Sequence, residues 1–377
     1  MVSNLMNQIL TPLTISLILI VIVMSITLVV LWFRQKKLVK LIRLSSQVYT
    51  SENNNTYKKS NSIAESDKRF AEKADEAQRL QQTFQKFVPK QFVDHFSQSG
   101  SKSGALELGR ANEDDMAVLF CDIRGFASLS EDMQPQELMN FLNSYFLRMN
   151  DPIHQNKGFI DKFIGDAIMA LFDHPGGNKA DKAFDAVNAA IDLYKALELY
   201  NSQRAKANYA AIRIGIGIHI GPVIIGTVGS DDRMDTTVIG DSVNLSSRLE
   251  SLAPQFSADI VVTEALIKNV KAHPEANVKY RILDFIRVKG RKSPLEVYEI
   301  LNHLDEKTQD LRVRTSEFIE QGIALRKAQK WRLAIAAFQQ ALIVDPTDEL
   351  IIHHLEQCHR LSRNDYLDNW DGAFTVH

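Results

Sequence analysis

The sequence predicts an α/β (α+β) domain, preceded by a transmembrane helix and a coiled-coil-like helix and followed by a small all-α tail. Three observations predict it. A long uncharged apolar run lies near the N-terminus. Short apolar runs that read as strands then alternate with helical patterns from about residue 112 to 302. The C-terminal part carries helical periodicity without strand signals.

The 377 residues are enough for more than one domain, and a net charge of −2 gives no global basic field for nucleic acid. Two cysteines, Cys121 and Cys358, make no disulfide framework and suit a reducing compartment. Residues 1–33 carry no charged side chain, and Leu13 to Phe33 matches the length needed to span a bilayer. A cleaved signal peptide wants a basic start, which is missing here. Arg34, Lys36, Lys37, Lys40 and Arg43 follow the span, and Trp32 sits at the interfacial level. The positive-inside rule then predicts a single-pass protein of the inner (plasma) membrane, with residues 1–12 outside and the remainder cytoplasmic.

Residues 34–62 read as a juxtamembrane helix and an Asn/Ser/Lys-rich linker. Ile63 to Lys86 reads as a helix with Phe70, Ala74, Ala77, Leu80 and Phe84 on one seam. This fits a short dimeric coiled coil or an amphipathic helix packed on its own domain. Pro89 ends it, and the lead-in runs to residue 111.

Val118 to Cys121 reads as a buried strand ending on Asp122. Ile123-Arg124-Gly125-Phe126 then turns the chain toward a helix expected near Ser130-Glu131. A carboxylate at a strand end beside such a turn suits a metal–triphosphate site, with the N–H groups of Gly125 and Phe126 facing phosphate. Gln134 to Asn150 reads as a core-facing helix. In Gly158 to Phe172, two apolar runs flank Gly165-Asp166, a two-residue hairpin signal that puts Asp166 at a tip. Alone that is an ordinary turn. With Asp122 it makes a pair of carboxylates at strand edges, an arrangement used to hold paired Mg²⁺ ions for in-line displacement at phosphate.

A helix is expected over roughly Lys179 to Arg204. Strands are expected at Ala211–His219 and Gly221–Val228, then a short one at Thr237–Ile239. A helix from about Asp241 places Asn244 and Arg248 on one face at i, i+4. They read as an exposed polar pair, or as an amide and a guanidinium aimed at ribose and phosphate. Lys289-Gly290-Arg291-Lys292 is a solvated turn or a phosphate-contacting tip.

Five blocks in order carry a resemblance: FCDIRGF (120–126), DKFIGDAIMA (161–170), GIHIGPVIIGTVGS (217–230), TVIGDSVNLSSRLE (237–250) and VKGR (288–291). Residues 112–302 resemble a class III nucleotide cyclase domain of the bacterial adenylate cyclase type. The resemblance implies a ferredoxin-like fold and a homodimer with active sites shared between protomers. It implies two Mg²⁺ (or Mn²⁺) ions per site, held by Asp122, Asp166 and the Ile123 carbonyl. It makes Asn244 and Arg248 transition-state residues, Lys162 and Thr237 the base-recognising pair, and Lys289 a triphosphate contact. Ala127 departs from the pattern, standing where many relatives carry Thr. The implied activity is a membrane-anchored adenylate cyclase turning ATP into 3′,5′-cyclic AMP and pyrophosphate. The alternatives are a catalytically inactive dimerisation scaffold, or a cyclase for GTP or a pyrimidine nucleotide.

Residues 315–363 resemble a tetratricopeptide-like helical region, through Gly322, Ala324, Trp331, Ala334, Ala337, Phe338, Ala341 and Pro346. This region is expected to pack on the cyclase domain or on the other protomer, and it is also a candidate docking site for a protein partner. His353, His354, Cys358 and His359 invite a metal reading, but no second clustered pair completes a ligand set. Residues 364–377 form a tail whose Asn369-Trp370-Asp371-Gly372 resembles one found after such cyclases.

Overall fold

A computed structural model describes residues 32, 34–37, 39, 68, 70, 72–80, 83, 89–92, 95, 111–230, 232–363 and 370–376. The chain divides into one unit of Met1–Val88 with Gly229–Met234 and a second of Pro89–Val228 with Asp235–His377. In the first unit, residues 72–80 are helical and exposed. Phe70 is 42% and Leu80 65% exposed, so neither packs within the chain; no finding supports a coiled coil, and that expectation is corrected.

The second unit is built on β1 (Ala111–Ile123), β2 (Phe159–Ile164), β3 (Ala167–Phe172), β4 (Ile214–Gly229), β5 (Met234–Ile239), β6 (Ile260–Thr263), β7 (Tyr280–Val288), β8 (Leu295–Ile300) and β9 (Phe374–Val376). The strands form one sheet in the order β2-β3-β1-β4-β6-β8-β7-β9, with β5 paired to β4. β1 lies antiparallel between β3 and β4, and β4 runs parallel to β6. Among the described residues from 111 onward, these α-helices accompany them: α1 (Phe126–Ser130), α2 (Pro135–Gln155), α3 (Lys179–Lys206), α4 (Asp241–Leu252), α5 (Glu264–Ala272), α6 (Glu306–Lys327), α7 (Trp331–Val344) and α8 (Glu349–Leu361).

β1 is central because both of its faces are apolar. Ala117, Leu119, Cys121 and Ile123 point to the core that α2 and α3 close. Met116, Val118 and Phe120 point to a second core with Phe92, Val223, Ile225 and Val238. α2 starts on Pro135, which needs no N–H partner there. α3 starts on a capping box, with Asn178 and Asp181 bonding each other's backbone.

Two boundaries differ from expectation. The helix after the Asp122 turn begins at Phe126 rather than Ser130. The two strands expected around Gly221 are one continuous strand, because β1 is long enough to pair it from Ile214 to Gly226 without a break. Nothing found supports the tetratricopeptide-like reading of the C-terminal helices, and that resemblance is corrected. Ile319, Ile323, Ala334, Phe338, Ala341, Leu350 and Ile351 share one core with Leu283, Ile286 and Val297 of the sheet and with Leu245 and Leu249 of α4. The helices thus pack on the cyclase domain, one of the two placements expected for them, and nothing found supports a protein partner docked on them.

A buried ionic layer holds the same junction. Arg281 on β7 binds Glu299 at 2.7 Å and also Asp348 at the start of α8, and Arg312 joins Glu299. Arg326 of α6 pairs with Asp284 of β7, where a register shift between Ile282 and Asp284 interrupts the ladder. His354 Nε2 donates to the Leu283 carbonyl at 2.8 Å, and its Nδ1 accepts from Arg326 at 3.2 Å. Both ring nitrogens of neutral His354 are thus committed, which rules out the metal reading for this residue.

Burial lowers the His354 pKa to about 4, with Arg326 lowering it and Asp284 raising it. The unfolded chain takes up this proton near pH 6.5, before the folded chain does, so the contribution is complete above that pH and is lost as pH falls toward 4. Asp161 and Glu250, raised by burial, act in the opposite direction. A comparison with His354→Gln cancels them. The wild-type advantage in unfolding free energy is expected to shrink by about 2 kcal/mol between pH 7.5 and 5. A pH-independent advantage in denaturant titrations refutes this.

Among the described residues, no helix is long and apolar enough to cross a membrane. The span expected over Leu13 to Phe33 lies outside the described residues, apart from Trp32. With no finding behind it, the membrane anchor and the single-pass topology built on it are corrected and play no part in the functional reading.

Candidate active site

The end of β1 places Asp122 opposite Gly215 of β4, and the β2–β3 hairpin brings Asp166 to it. The hairpin closes in two residues, with Gly165 at φ 65° and β3 starting at Ala167; Gly125, at φ 70°, makes the corresponding bend after β1. An L side chain strains both positions. Ile123 N–H donates to Asp122 Oδ1 at 3.0 Å. Arg124 holds the turn from outside, with its guanidinium on the Ala258 carbonyl and 3.4 Å from Asp259.

Burial pushes the Asp122 carboxyl up to about 7, and the charges of Asp166 and Glu250 add to it. Glu250 itself is pushed up to about 7, chiefly by burial. Cys121 beside them is a packing residue: burial pushes its thiol up to about 12, and its Sγ lies 3.5 Å from the Tyr145 hydroxyl.

Asp166 Oδ2 is buried with no hydrogen-bond partner. Two carboxylates crowded together, one with an unpartnered buried oxygen, fit a divalent cation, which would offset both the repulsion and the lost hydration. Among the described residues no group of three or more His, Cys, Asp or Glu side chains is arranged to hold a metal ion. A carboxylate pair alone suits a cation that takes its remaining ligands from substrate phosphates and water.

A second group lies around β2 and β5. Lys162 Nζ donates to Asp235 Oδ2 at 3.2 Å and stands 3.7 Å from Asp161 Oδ2. The Thr237 hydroxyl donates to the same Asp161 oxygen at 3.4 Å. A third group lies on α4 and the β7–β8 turn. Asn244 and Arg248 are exposed on one face while Leu245 and Leu249 are buried on the other. Arg248 Nη1 donates to the carbonyl of Lys289, which is exposed beside Gly290. No hydrogen bond or ion pair among the described residues joins this third group to Asp122 or Asp166.

Asp161, Asp235 and Glu250 were not predicted. Asp161 carried a usable signal, as a charged residue in a strand that pairs on one side. Glu250 and Asp235 depend on contacts across the chain that have no local pattern.

The Adenylate and Guanylate cyclase catalytic domain family matches residues 109–302. This chain belongs to that family. It is 42% identical to an adenylate cyclase of Anabaena cylindrica over 58% of this chain and 42% of that protein. It is 32% identical to the terminal-differentiation-specific adenylate cyclase of Dictyostelium discoideum over 74% of this chain and 13% of that protein. The chain thus spans less than half the length of either relative. A bacterial light-regulated adenylyl cyclase matches in structure, with a TM-score of 0.52 at 24% identity over 70% of each chain, which shows the mixed α/β cyclase fold.

These matches correct the wider expectations. The family match stops at residue 302, and nothing found supports a tetratricopeptide-like tail or a membrane segment. Among the described residues of this single chain no dimer interface is shown, so the shared-site homodimer is not carried forward. Cyclase domains of this family generally use divalent cations, in keeping with the fit of the Asp122–Asp166 pair.

Proposed function

We propose that the chain cyclises a purine nucleoside triphosphate and prefers ATP over GTP, releasing 3′,5′-cyclic AMP and pyrophosphate. The observation that carries the base preference is the grouping of Lys162, Asp161 and Thr237. An ammonium group only donates, and adenine N1 accepts, whereas guanine N1 bears a hydrogen. The family itself includes both base classes, so the preference rests on this side-chain chemistry and on the adenylate cyclases among the relatives.

In this reading Asp122, Asp166 and the Ile123 carbonyl hold the divalent cation, two Mg²⁺ or Mn²⁺ ions in its fullest form. Bound there, such ions supply Lewis-acid stabilisation of the triphosphate. The N–H groups of Gly125 and Phe126 face phosphate oxygens. Lys289 adds a cationic contact to the triphosphate, and Asn244 and Arg248 meet the charge that develops at the α-phosphate. The ribose 3′-oxygen bonds to the α-phosphorus, the bond from that phosphorus to the β-phosphate oxygen breaks, and pyrophosphate leaves. The hydroxyl proton passes to solvent, since no side chain is assigned as its base.

The purified chain incubated with ATP, GTP, CTP or UTP and Mn²⁺ is expected to yield cyclic AMP as the main product by mass spectrometry. Dominant cyclic GMP refutes the base preference. Absence of any cyclic product from all four nucleotides refutes the catalytic reading and leaves an inactive cyclase-like scaffold.

A further inference from the structure

We propose that Asp161 sets the direction of the Thr237 hydroxyl and so makes Thr237 an acceptor that selects adenine over guanine. The inference rests on the base-binding reading of Lys162 and Thr237 given above.

The Asp161 side chain is fully buried, at 0% exposure. Its Oδ1 is buried with no hydrogen-bond partner, while Oδ2 receives the Thr237 hydroxyl at 3.4 Å and has the Lys162 ammonium 3.7 Å away. Thr237 is therefore the hydrogen-bond donor to this carboxylate, and Lys162 is its ion-pair partner. A carboxylate anion only accepts. Burial pushes the Asp161 carboxyl up to about 6, with Lys162 and Thr237 pulling it back, so the anion prevails at about pH 8.

The consequence is one of polarity. A hydroxyl has one proton and two lone pairs. With its proton committed to Asp161, Thr237 has only lone pairs left for a bound base. The exocyclic amino group of adenine donates to a lone pair. The carbonyl oxygen of guanine at the same place also presents lone pairs, and two acceptors facing one another leave both unsatisfied.

Lys162 is set in the complementary sense. One of its three donors is directed to Asp235 and the ammonium is held 3.7 Å from Asp161, which leaves donors for an accepting ring nitrogen. One buried acid thus organises both members of the pair, which explains why a charge lies inside β2 where an apolar residue is the ordinary choice. An Asp161 that only anchors Lys162 also shifts the balance between the two purines, but its effect is then independent of Thr237, and the double variant separates the two cases.

The test measures kcat/KM for ATP and for GTP with the full chain and Mn²⁺, and reads their ratio. Asp161→Val removes the acceptor and the buried charge, and the hydroxyl is then free to serve either base. The ratio is expected to fall about tenfold, mainly through a gain in GTP use. Asp161→Ala, smaller and equally apolar, is expected to act in the same direction, and unfolding midpoints show that each variant folds. Thr237→Ser keeps the hydroxyl and is expected to keep the ratio. Thr237→Val is expected to lower it, and adding Asp161→Val to Thr237→Val is expected to change the ratio no further. Equal losses for both nucleotides in Asp161→Val, or independent effects in the double variant, overturn the inference while leaving the ATP reading intact. A wild-type chain that prefers GTP overturns the ATP reading and this inference with it.

Discussion

Replacement of Asp166 by asparagine is expected to abolish nucleotide cyclisation without loss of the fold. The residue follows Gly165 in a two-residue hairpin, and the tight turn depends on that glycine rather than on the acid. Asparagine keeps the size of the side chain and is well tolerated in turns. What it removes is one of two negative charges. Asp122 is destabilised as an anion first by burial and then by Asp166, and Asp166 holds a buried oxygen with no partner. Loss of one like charge relieves this crowding, so the unfolding midpoint is expected to stay level or rise. The cation, however, loses half of its carboxylate charge. A fall in kcat of at least about 100-fold is expected with either Mg²⁺ or Mn²⁺. Near-normal turnover in the folded variant removes Asp166 from the site. Lower turnover together with a large drop in the unfolding midpoint shows that the acid serves the hairpin instead.

The contrast between stability and turnover follows from what a sequence can reveal. The strand before Asp122, the two-residue turn before Asp166 and the i, i+4 pair Asn244 and Arg248 are local patterns. Each element forms where its period and turn residues place it. The partners of these residues are not local. Asp161 meets Thr237 across 76 positions, and Arg248 reaches the Lys289 carbonyl across 41. Neither contact leaves a periodic trace.

The break expected at Gly221 has a related cause. A glycine reads locally as punctuation, yet here it lies in register with Met116 of β1, and the continuous partner strand overrides the local preference. The tetratricopeptide-like reading of the C-terminal helices fails through a different ambiguity, although their packing on the cyclase domain is one of the two placements expected. Small residues such as Gly322 and Ala334 at helical spacing suit a helical repeat, but they equally suit close packing on any surface. Gly322 lies against the Phe338 ring, where a Cβ would come within 2.5 Å of it. Only the position of Arg326 and Asp348 opposite acidic and basic residues of β7 shows which surface is covered.

That junction carries the largest expected effect on stability. Arg326 and Asp284 are 0% and 1% exposed, so neither charge has water to fall back on. Arg326→Met fills most of the same space and leaves Asp284 buried without its counter-ion, although Phe285 N–H still donates to it at 2.6 Å. A cost of roughly 3–5 kcal/mol is expected. The double variant Arg326→Met with Asp284→Leu removes both charges and their desolvation, and is expected to recover most of that loss. Denaturant unfolding of the wild type, both single variants and the double variant gives the coupling energy directly. Additive losses show instead that each side chain acts through packing alone. The effect reaches beyond the tail because Asp284 lies on β7, which leads into Lys289. The same strand is flanked by β9, whose Val376 carbonyl accepts from Lys289 N–H at 3.2 Å. A weakened junction therefore loosens the turn assigned to the triphosphate. In Arg326→Met, KM for the nucleotide is expected to rise at temperatures where the protein is still folded, while the Asp122–Asp166 pair on β1 and the β2–β3 hairpin, separated from β7 by β4, β6 and β8, stays in place.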